Sequence, residues 1–223
     1  MNVNDDFSKR VLLHGDSIPW EASPMPGVDR RRLDRVDADH DRVTTIVRYA
    51  PGSQFSPHVH GGGEEFIVLE GVFEDDYGQW PEGSYIRNPP QSKHTPGSKP
   101  GCIIFVKLWQ FDPEDRTFVH ANRHKLGKVA DRNRDGAMVS PLYEDPRESV
   151  QFEQWQPKHT ISIDASGGAE IFVLEGSCSE SGDELKKHSW LRSPVGTTLS
   201  ITPGPEGTTA WVKTNHMRQL MPD

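Results

Sequence analysis

The chain has 223 residues with a formal net charge of −8, an apolar share of 33%, 20 glycines, 18 prolines and two cysteines. An acidic chain gains nothing from counterion release on a phosphate backbone, so direct nucleic-acid binding is not expected. No apolar run approaches the ~18–20 residues that span a membrane, the Met1–Phe7 segment is polar and acidic, and two cysteines form no disulfide framework, so a cytoplasmic location is the expectation.

In chain order, the first basic cluster is Arg30-Arg31-Arg32. Asp29, Asp34, Asp37, Asp39 and Asp41 surround it, and the sequence reads as a solvated mixed-charge segment. Short strands are expected at 43–49, 54–60, 64–70, 84–87 and 102–110, then at 150–156, 159–165, 169–175, 189–192, 198–202 and 208–214. Turn chemistry separates them: Gly61-Gly62-Gly63, Pro81-Glu82-Gly83, Asn88-Pro89-Pro90, Ser166-Gly167-Gly168 and Pro203-Gly204-Pro205. No segment shows a sustained helical period. An all-β molecule built from antiparallel, jelly-roll-type β-barrels is the natural architecture, because closure removes exposed strand edges.

The most reactive stretch runs from Gly52 to Gly71. His58 and His60 are two apart and share a face of a strand, since strand side chains alternate. Glu64 follows a three-glycine turn, and His94 comes thirty residues later. Three imidazoles and a carboxylate can converge on one cation inside a small barrel. Glu65 is the rival carboxylate, but a shift of one residue turns the side chain to the opposite face of the strand.

The chain repeats itself. Phe66-Ile67-Val68-Leu69-Glu70-Gly71 returns, 105 residues on, as Ile171-Phe172-Val173-Leu174-Glu175-Gly176, and Tyr85, Arg87 and Pro89 return as Trp190, Arg192 and Pro194. Val106-Lys107 returns as Val212-Lys213. Two copies of one fold are expected, as domains 1–120 and 121–223. At the same offset His58, His60, Glu64 and His94 become Ile163, Ala165, Ala169 and Leu199. Four polar positions turned apolar together mark a buried site kept in the first copy and lost in the second. Residues kept in both copies, among them Arg87/Arg192 and Lys107/Lys213, are assigned to the fold as buried salt bridges or snorkelling side chains.

These motifs resemble the cupin superfamily. Gly52 through Gly71 fits its first motif, and Gly83, Pro89 and His94 fit its second, with Gln91 standing where glycine is usual and Ser98 where asparagine is usual. His58-Val59-His60-Gly61-Gly62-Gly63-Glu64-Glu65-Phe66, Tyr85 to Pro90, His94-Thr95-Pro96 and Gly101 to Lys107 resemble the ChrR-like cupin family, named for anti-sigma factors of the singlet-oxygen response. The resemblance implies two tandem cupin domains, a degenerate second one, and one divalent metal ion: zinc (Zn) first, with Fe, Ni, Mn and Co open. It also implies a regulatory, stress-sensing role, with an ECF-type sigma factor as partner. Residues 1–40 hold His14 and His40 and no cysteine, so the helical zinc domain that grips the sigma factor is expected to be lacking. The alternative is a metal-dependent dioxygenase acting on a small diketone or hydroxyaryl ketone. A third possibility is a small hydrophobic ligand held by the apolar second copy, although close packing there is the simpler expectation. Homodimerisation is expected because cupins commonly pair through strand edges.

The remaining histidines read differently. His120 and His124 have helical i, i+4 spacing but fall in the charged connection between the copies, and are assigned to a solvated linker. His159, His188 and His216 are assigned to surface or hydrogen-bonding roles, and Cys102 to a small buried thiol.

Overall fold

The computed structural model describes residues 1–36 and 42–220. Asp37, Asp39, His40 and Asp41 lie outside the described residues. Two compact units are present: Met1–Asp5 with Ile18–Lys125, and Asp6–Ser17 with Leu126–Asp223. Each is a jelly-roll barrel of antiparallel strands, and the only helical turns among the described residues are the 3-10 segments Gly15–Ser17 and Arg218–Leu220. No helix among them is long and apolar enough to cross a membrane.

The two barrels have the same plan. In the first, the strand order is Val119–Asn122, Ser84–Asn88, Glu64–Asp75, Cys102–Leu108, Arg42–Tyr49, Val28–Val36 and Glu21–Ala22. In the second it is Val11–His14, Ser189–Ser193, Ala169–Glu180, Thr197–Thr214, Ser149–Trp155, Ala137–Glu144 and Val129–Ala130. The two units depart from the expected boundaries in two places. Val11–His14 pairs with Ser189–Ser193, and Arg192 stacks on Phe7 and donates to the Asp6 carbonyl at 3.0 Å, so Asp6–Ser17 belongs to the second unit. Val119–Asn122 pairs with Ser84–Asn88 and carries the first unit on to Lys125.

Each interior holds an apolar cluster. Val28, Val47, Phe66, Val68, Phe73, Ile86, Cys102, Ile104 and Val106 form the first. The second includes Trp155, Ile171, Val173, Leu191, Ala210 and Val212. Gly71 and Gly176, returned at the same repeat position, both have φ of 72°, and a Cβ on either would lie 2.0 or 2.1 Å from the carbonyl oxygen of Gly101 or Gly207. The repeat keeps them because a carbonyl fills the space a side chain would need.

Four sequence expectations change. The strand expected at 54–60 is two pieces, Ser53–Gln54 and His58–Val59, because Pro57 has no amide to continue a ladder. The strands expected at 198–202 and 208–214 are one strand, Thr197–Thr214, in which Pro203 stays in register opposite Cys178 beside a bulge. Arg30, Arg31 and Arg32 do not form a solvated segment but lie in the strand Val28–Val36, anchored by buried Val28 and Leu33, with Arg31 over the Trp20 ring. The connection holding His120 is likewise a paired strand.

The charged residues kept in both copies lie on the face away from the interior. Arg87 pairs with Asp115 at 2.6 Å and Lys213 with Glu148 at 2.9 Å, all buried. Lys107 donates to Thr44 Oγ1 at 2.9 Å. Tyr85 donates its hydroxyl to Glu65 at 2.7 Å, and Trp190 donates its indole N–H to Glu170 at 2.9 Å. The donor changed between copies while the buried carboxylate stayed, as satisfying a buried charge requires.

Candidate metal centre

The interior face of the first barrel brings His58, His60 and His94 together. One ring nitrogen from each lies within 4.8 Å of the other two. The rings meet edge to face, with centroids 4.6–5.0 Å apart. A shared cation with ~2.1 Å bonds holds such nitrogens about 3–3.5 Å apart, so the cluster needs only slight contraction. His58 and His94 are direct cross-strand partners. His60 lies one residue past its short strand, but its backbone still pairs, its N–H donating to Ser92 O and its carbonyl accepting from Gln91 N.

Glu64 opens the strand Glu64–Asp75 and faces the same interior. Its Oε2 lies 3.4 Å from His60 Nε2 and 3.7 Å from His94 Nε2, and accepts from Asn88 Nδ2 at 3.3 Å. Glu65 faces the opposite way, onto Tyr85. His60 Nε2 is buried and has no hydrogen-bond partner. A buried imidazole nitrogen aimed at a carboxylate and two other imidazoles, yet bonded to none of them, is what a cation ligand looks like without its cation. The donor set therefore fits a divalent metal ion.

The electrostatics match. Burial lowers the His60 pKa, with His94 and His58 adding to the effect against the opposing Glu64 charge, so its ring is neutral and free to bind. Burial would lower His94 too, but its hydrogen bond to Asp75 and the charges of Glu64, Asp75 and Asp76 outweigh it and raise its pKa. His60, His94 and Glu64 are buried while His58 is exposed, so the cluster opens to solvent on the His58 side.

Three neighbours escaped the sequence reading. Asp75 Oδ1 accepts from the Tyr77 and Gly78 amides and from Trp80 Nε1, at 2.9–3.2 Å. Its Oδ2 faces His94 Nδ1 at 3.2 Å. Burial works against ionisation of Asp75, yet the bonds from His94, Trp80 and Tyr77 hold its pKa below the ordinary value. The carboxylate thus places the proton on Nδ1 and leaves Nε2 to face the cluster. In the second barrel the matching carboxylate, Glu180, turns to Arg10 at 2.8 Å, and Leu185 replaces Trp80. Comparing the copies at these positions would have found the pair. Asn88 is the second neighbour and Trp109 the third. Trp109 has φ of 59°, and a Cβ on Gly61 or Gly62 would sit 2.5 or 2.2 Å from its indole. Phe111 occupies the corresponding space at Gly63. The glycine run exists because these rings lie directly on the loop.

Gln91, where the motif expects glycine, has φ of 71°, and Gly196 in the second copy has φ of 83°. The departure keeps the left-handed turn and accepts its strain.

His120 and His124 lie in and just after a paired strand and not in a solvated linker, while the other histidines and the cysteines fall as expected. His120 packs on Trp80, His124 bonds Glu82 at 2.8 Å, His188 faces Asp16 at 3.1 Å, and His216 bonds Glu170 at 2.8 Å. His159 lies 3.4 Å from Asp135. Burial pushes the Cys102 thiol up to about 11 and that of Cys178 up to about 12, which leaves both unreactive near neutrality. In the second barrel Ile163 and Leu199 are cross-strand partners, as His58 and His94 are in the first, and Ala165 and Ala169 join them in the closed interior. That interior is not wholly apolar. Glu153 is buried there, held by Arg134 at 2.9 Å and by Trp155 Nε1 at 2.6 Å.

Two like barrels, one bearing a three-histidine cluster, define a cupin-fold protein. Within it, residues 8–112 match the ChrR cupin-like domain. The chain resembles a candidate dioxygenase from Nostoc punctiforme (17% identity, TM-score 0.75, covering 95% of this chain and 84% of that one). It also resembles a bacterial pirin from Escherichia coli crystallised with nickel(II) (16%, 0.64, 93% and 99%). A formate complex of oxalate decarboxylase from Lactobacillus farciminis is a third likeness (10%, 0.65, 97% and 90%). At such identities these likenesses establish the fold. A search of curated protein sequences finds no match.

Proposed function

We propose that the first barrel binds one divalent cation through His58, His60, Glu64 and His94, and that the protein is a regulatory, stress-sensing cupin of the ChrR type. The observation behind the metal site is the convergence of three imidazole nitrogens within 4.8 Å beside the Glu64 carboxylate. The ChrR match over residues 8–112 supports the regulatory role. Zinc is the first candidate by that resemblance, followed by Fe, Ni, Mn and Co. The bound cation would supply Lewis acidity. Around it, Asp75 holds the His94 proton on Nδ1, Asn88 supports Glu64, and Trp109 with Phe111 fixes the glycine loop between His60 and Glu64. Elemental analysis of purified, unchelated protein tests the site, and a pull-down with an ECF-type sigma factor of the host tests the role. Absence of a stoichiometric ion defeats the first statement. No sigma factor bound at micromolar concentration defeats the second.

A second reading, a dioxygenase acting on a small diketone or hydroxyaryl ketone, draws support from the exposure of His58, which leaves one side of the cluster open to a ligand. Oxygen uptake by the iron- or nickel-loaded protein across such substrates tests it. No uptake with either metal would exclude it.

A further inference from the structure

Trp109, the residue that follows the strand Cys102–Leu108, holds a left-handed φ of 59°. That backbone region is a true outlier for a bulky side chain, and strain of this kind collects where a site requires it. Its amide donates to Gly63 O at 3.1 Å, and its indole lies on Gly61 and Gly62. A Cβ at either glycine would come within 2.5 or 2.2 Å of the ring. Gly61 and Gly62 are not themselves left-handed, so Trp109, and not their own backbone, bars side chains there. Trp109 is 37% exposed and covers the loop from the solvent side.

The second copy keeps this corner and changes its contents. Asn215 follows the strand Thr197–Thr214, has φ of 71°, and donates its amide to Gly168 O at 2.9 Å, as Trp109 does to Gly63. Gly63 returns as Gly168, and Met217 stands against Gly168 where Phe111 stands against Gly63. Asparagine adopts this conformation readily, so the turn itself needs no tryptophan. What changes is Trp109 together with Gly61, which become Asn215 and Ser166. With the indole gone, position 166 accepts a side chain. Ser166 then fastens its own loop to the Asp164 carboxylate, by its amide at 2.8 Å and its hydroxyl at 3.3 Å. The first copy has Val59 and Gly61 at those two positions, and neither side chain can make such a bond. Trp109 is therefore present where His60 and Glu64 flank the loop, and absent where Ala165 and Ala169 flank it.

We propose that Trp109 is a latch on the metal site: a positioning residue whose indole closes the Gly61–Gly63 loop, keeps His60 and Glu64 together on the cation, and sets how slowly the cation leaves. The inference rests on the metal reading above. Three consecutive glycines have more conformational freedom to lose than any other tripeptide, and they carry no side chain that could hold them in place. The ligands at the two ends of the loop approach to 3.4 Å, between His60 Nε2 and Glu64 Oε2, and opening of the loop parts them. A partly exposed ring over such a loop can lift without unfolding the barrel, which gives the cation an exit that the ring controls.

The test uses the full chain loaded with zinc and mixed with an excess of a chromogenic chelator, so that absorbance reads the rate of release. Zinc content and the metal-free thermal midpoint are measured first. Trp109→Asn installs the second copy's residue and relieves the strain. It should load zinc, keep its metal-free midpoint near or above wild type, and release zinc about tenfold or more faster. Trp109→Phe should recover part of the retention. Gly61→Ser should speed release by displacing the indole, yet add nothing in the Trp109→Asn background, where no ring is left to displace. Release at the wild-type rate from Trp109→Asn, or full additivity of the two substitutions, overturns the proposal and leaves the metal site standing. So does a metal-free midpoint lowered by about 5 °C or more in Trp109→Asn, which would make the ring part of the barrel's packing. Failure of wild type to take up zinc removes the metal reading, and this inference with it.

Discussion

Replacing His58 and Ile163 by alanine, one at a time, separates the two barrels energetically. The residues occupy the same repeat position, and each is the cross-strand partner of the other ligand-position residue, His94 or Leu199. His58 is exposed and lies outside the apolar cluster, so its removal costs little packing. It does remove one of three converging imidazoles. At a metal concentration one hundred times Kd, binding contributes about 2.7 kcal/mol to the folded state. For a unit of about 110 residues that is about 10 °C of metal-dependent midpoint. His58→Ala should lose that increment while its metal-free midpoint stays near wild type. Ile163 is 3% exposed in the second core. Its truncation should cost about 2–5 kcal/mol with or without metal and leave metal content unchanged. Calorimetry with and without zinc, beside elemental analysis, reads both effects. Equal metal loss in the two variants, or an unaltered zinc increment in His58→Ala, refutes the assignment of the cation to the first barrel.

Asp75→Asn should lower zinc affinity by about 10–100-fold, because His94 loses the acceptor that fixes its tautomer, while Asp76→Asn leaves it near wild type; competition with a chromogenic chelator measures both. Imidazole ¹⁵N shifts of the metal-free protein should show His94 moving away from the Nδ1–H form in Asp75→Asn alone. Gln91→Gly should stabilise the first unit by about 1 kcal/mol, since a left-handed φ of 71° costs a residue with a Cβ about that much; an unchanged denaturation midpoint would contradict the strain. Asp115→Ala should destabilise by about 3–5 kcal/mol by stranding buried Arg87. The Asp115 pKa is held below the ordinary value: burial raises it, but the Thr117 amide and Arg87 outweigh that. Its contribution is therefore present above the unfolded pKa and disappears as pH falls through the lower folded one. Wild type should lose stability below about pH 4 more steeply than Asp115→Ala, as followed by circular dichroism.

The strands with strong apolar alternation were legible in the chain, and so was the repeat. Glu64 rather than Glu65 follows from strand alternation once the glycine turn is placed, and the structure turns Glu65 onto Tyr85. Strands dense in arginine were not legible. Val28–Val36 reads as a solvated charge run because hydropathy does not show that Arg31 lies on Trp20 or that Arg48 pairs with Asp29. Proline misled in both directions. Pro57 ends a ladder, while Pro203 is accommodated inside one beside a bulge.

From the residues alone came the two-barrel, all-β plan and the four positions that distinguish one barrel from the other, because alternation and internal repetition are local properties of a chain. The folded molecule alone decided which side chains support that cluster. Asp75 reaches His94 across nineteen residues, and Asn88 reaches Glu64 across twenty-four. Val11–His14 completes a sheet whose partner strand lies more than 170 residues further along. Such pairings depend on closure of the sheets, and no window of sequence contains both partners.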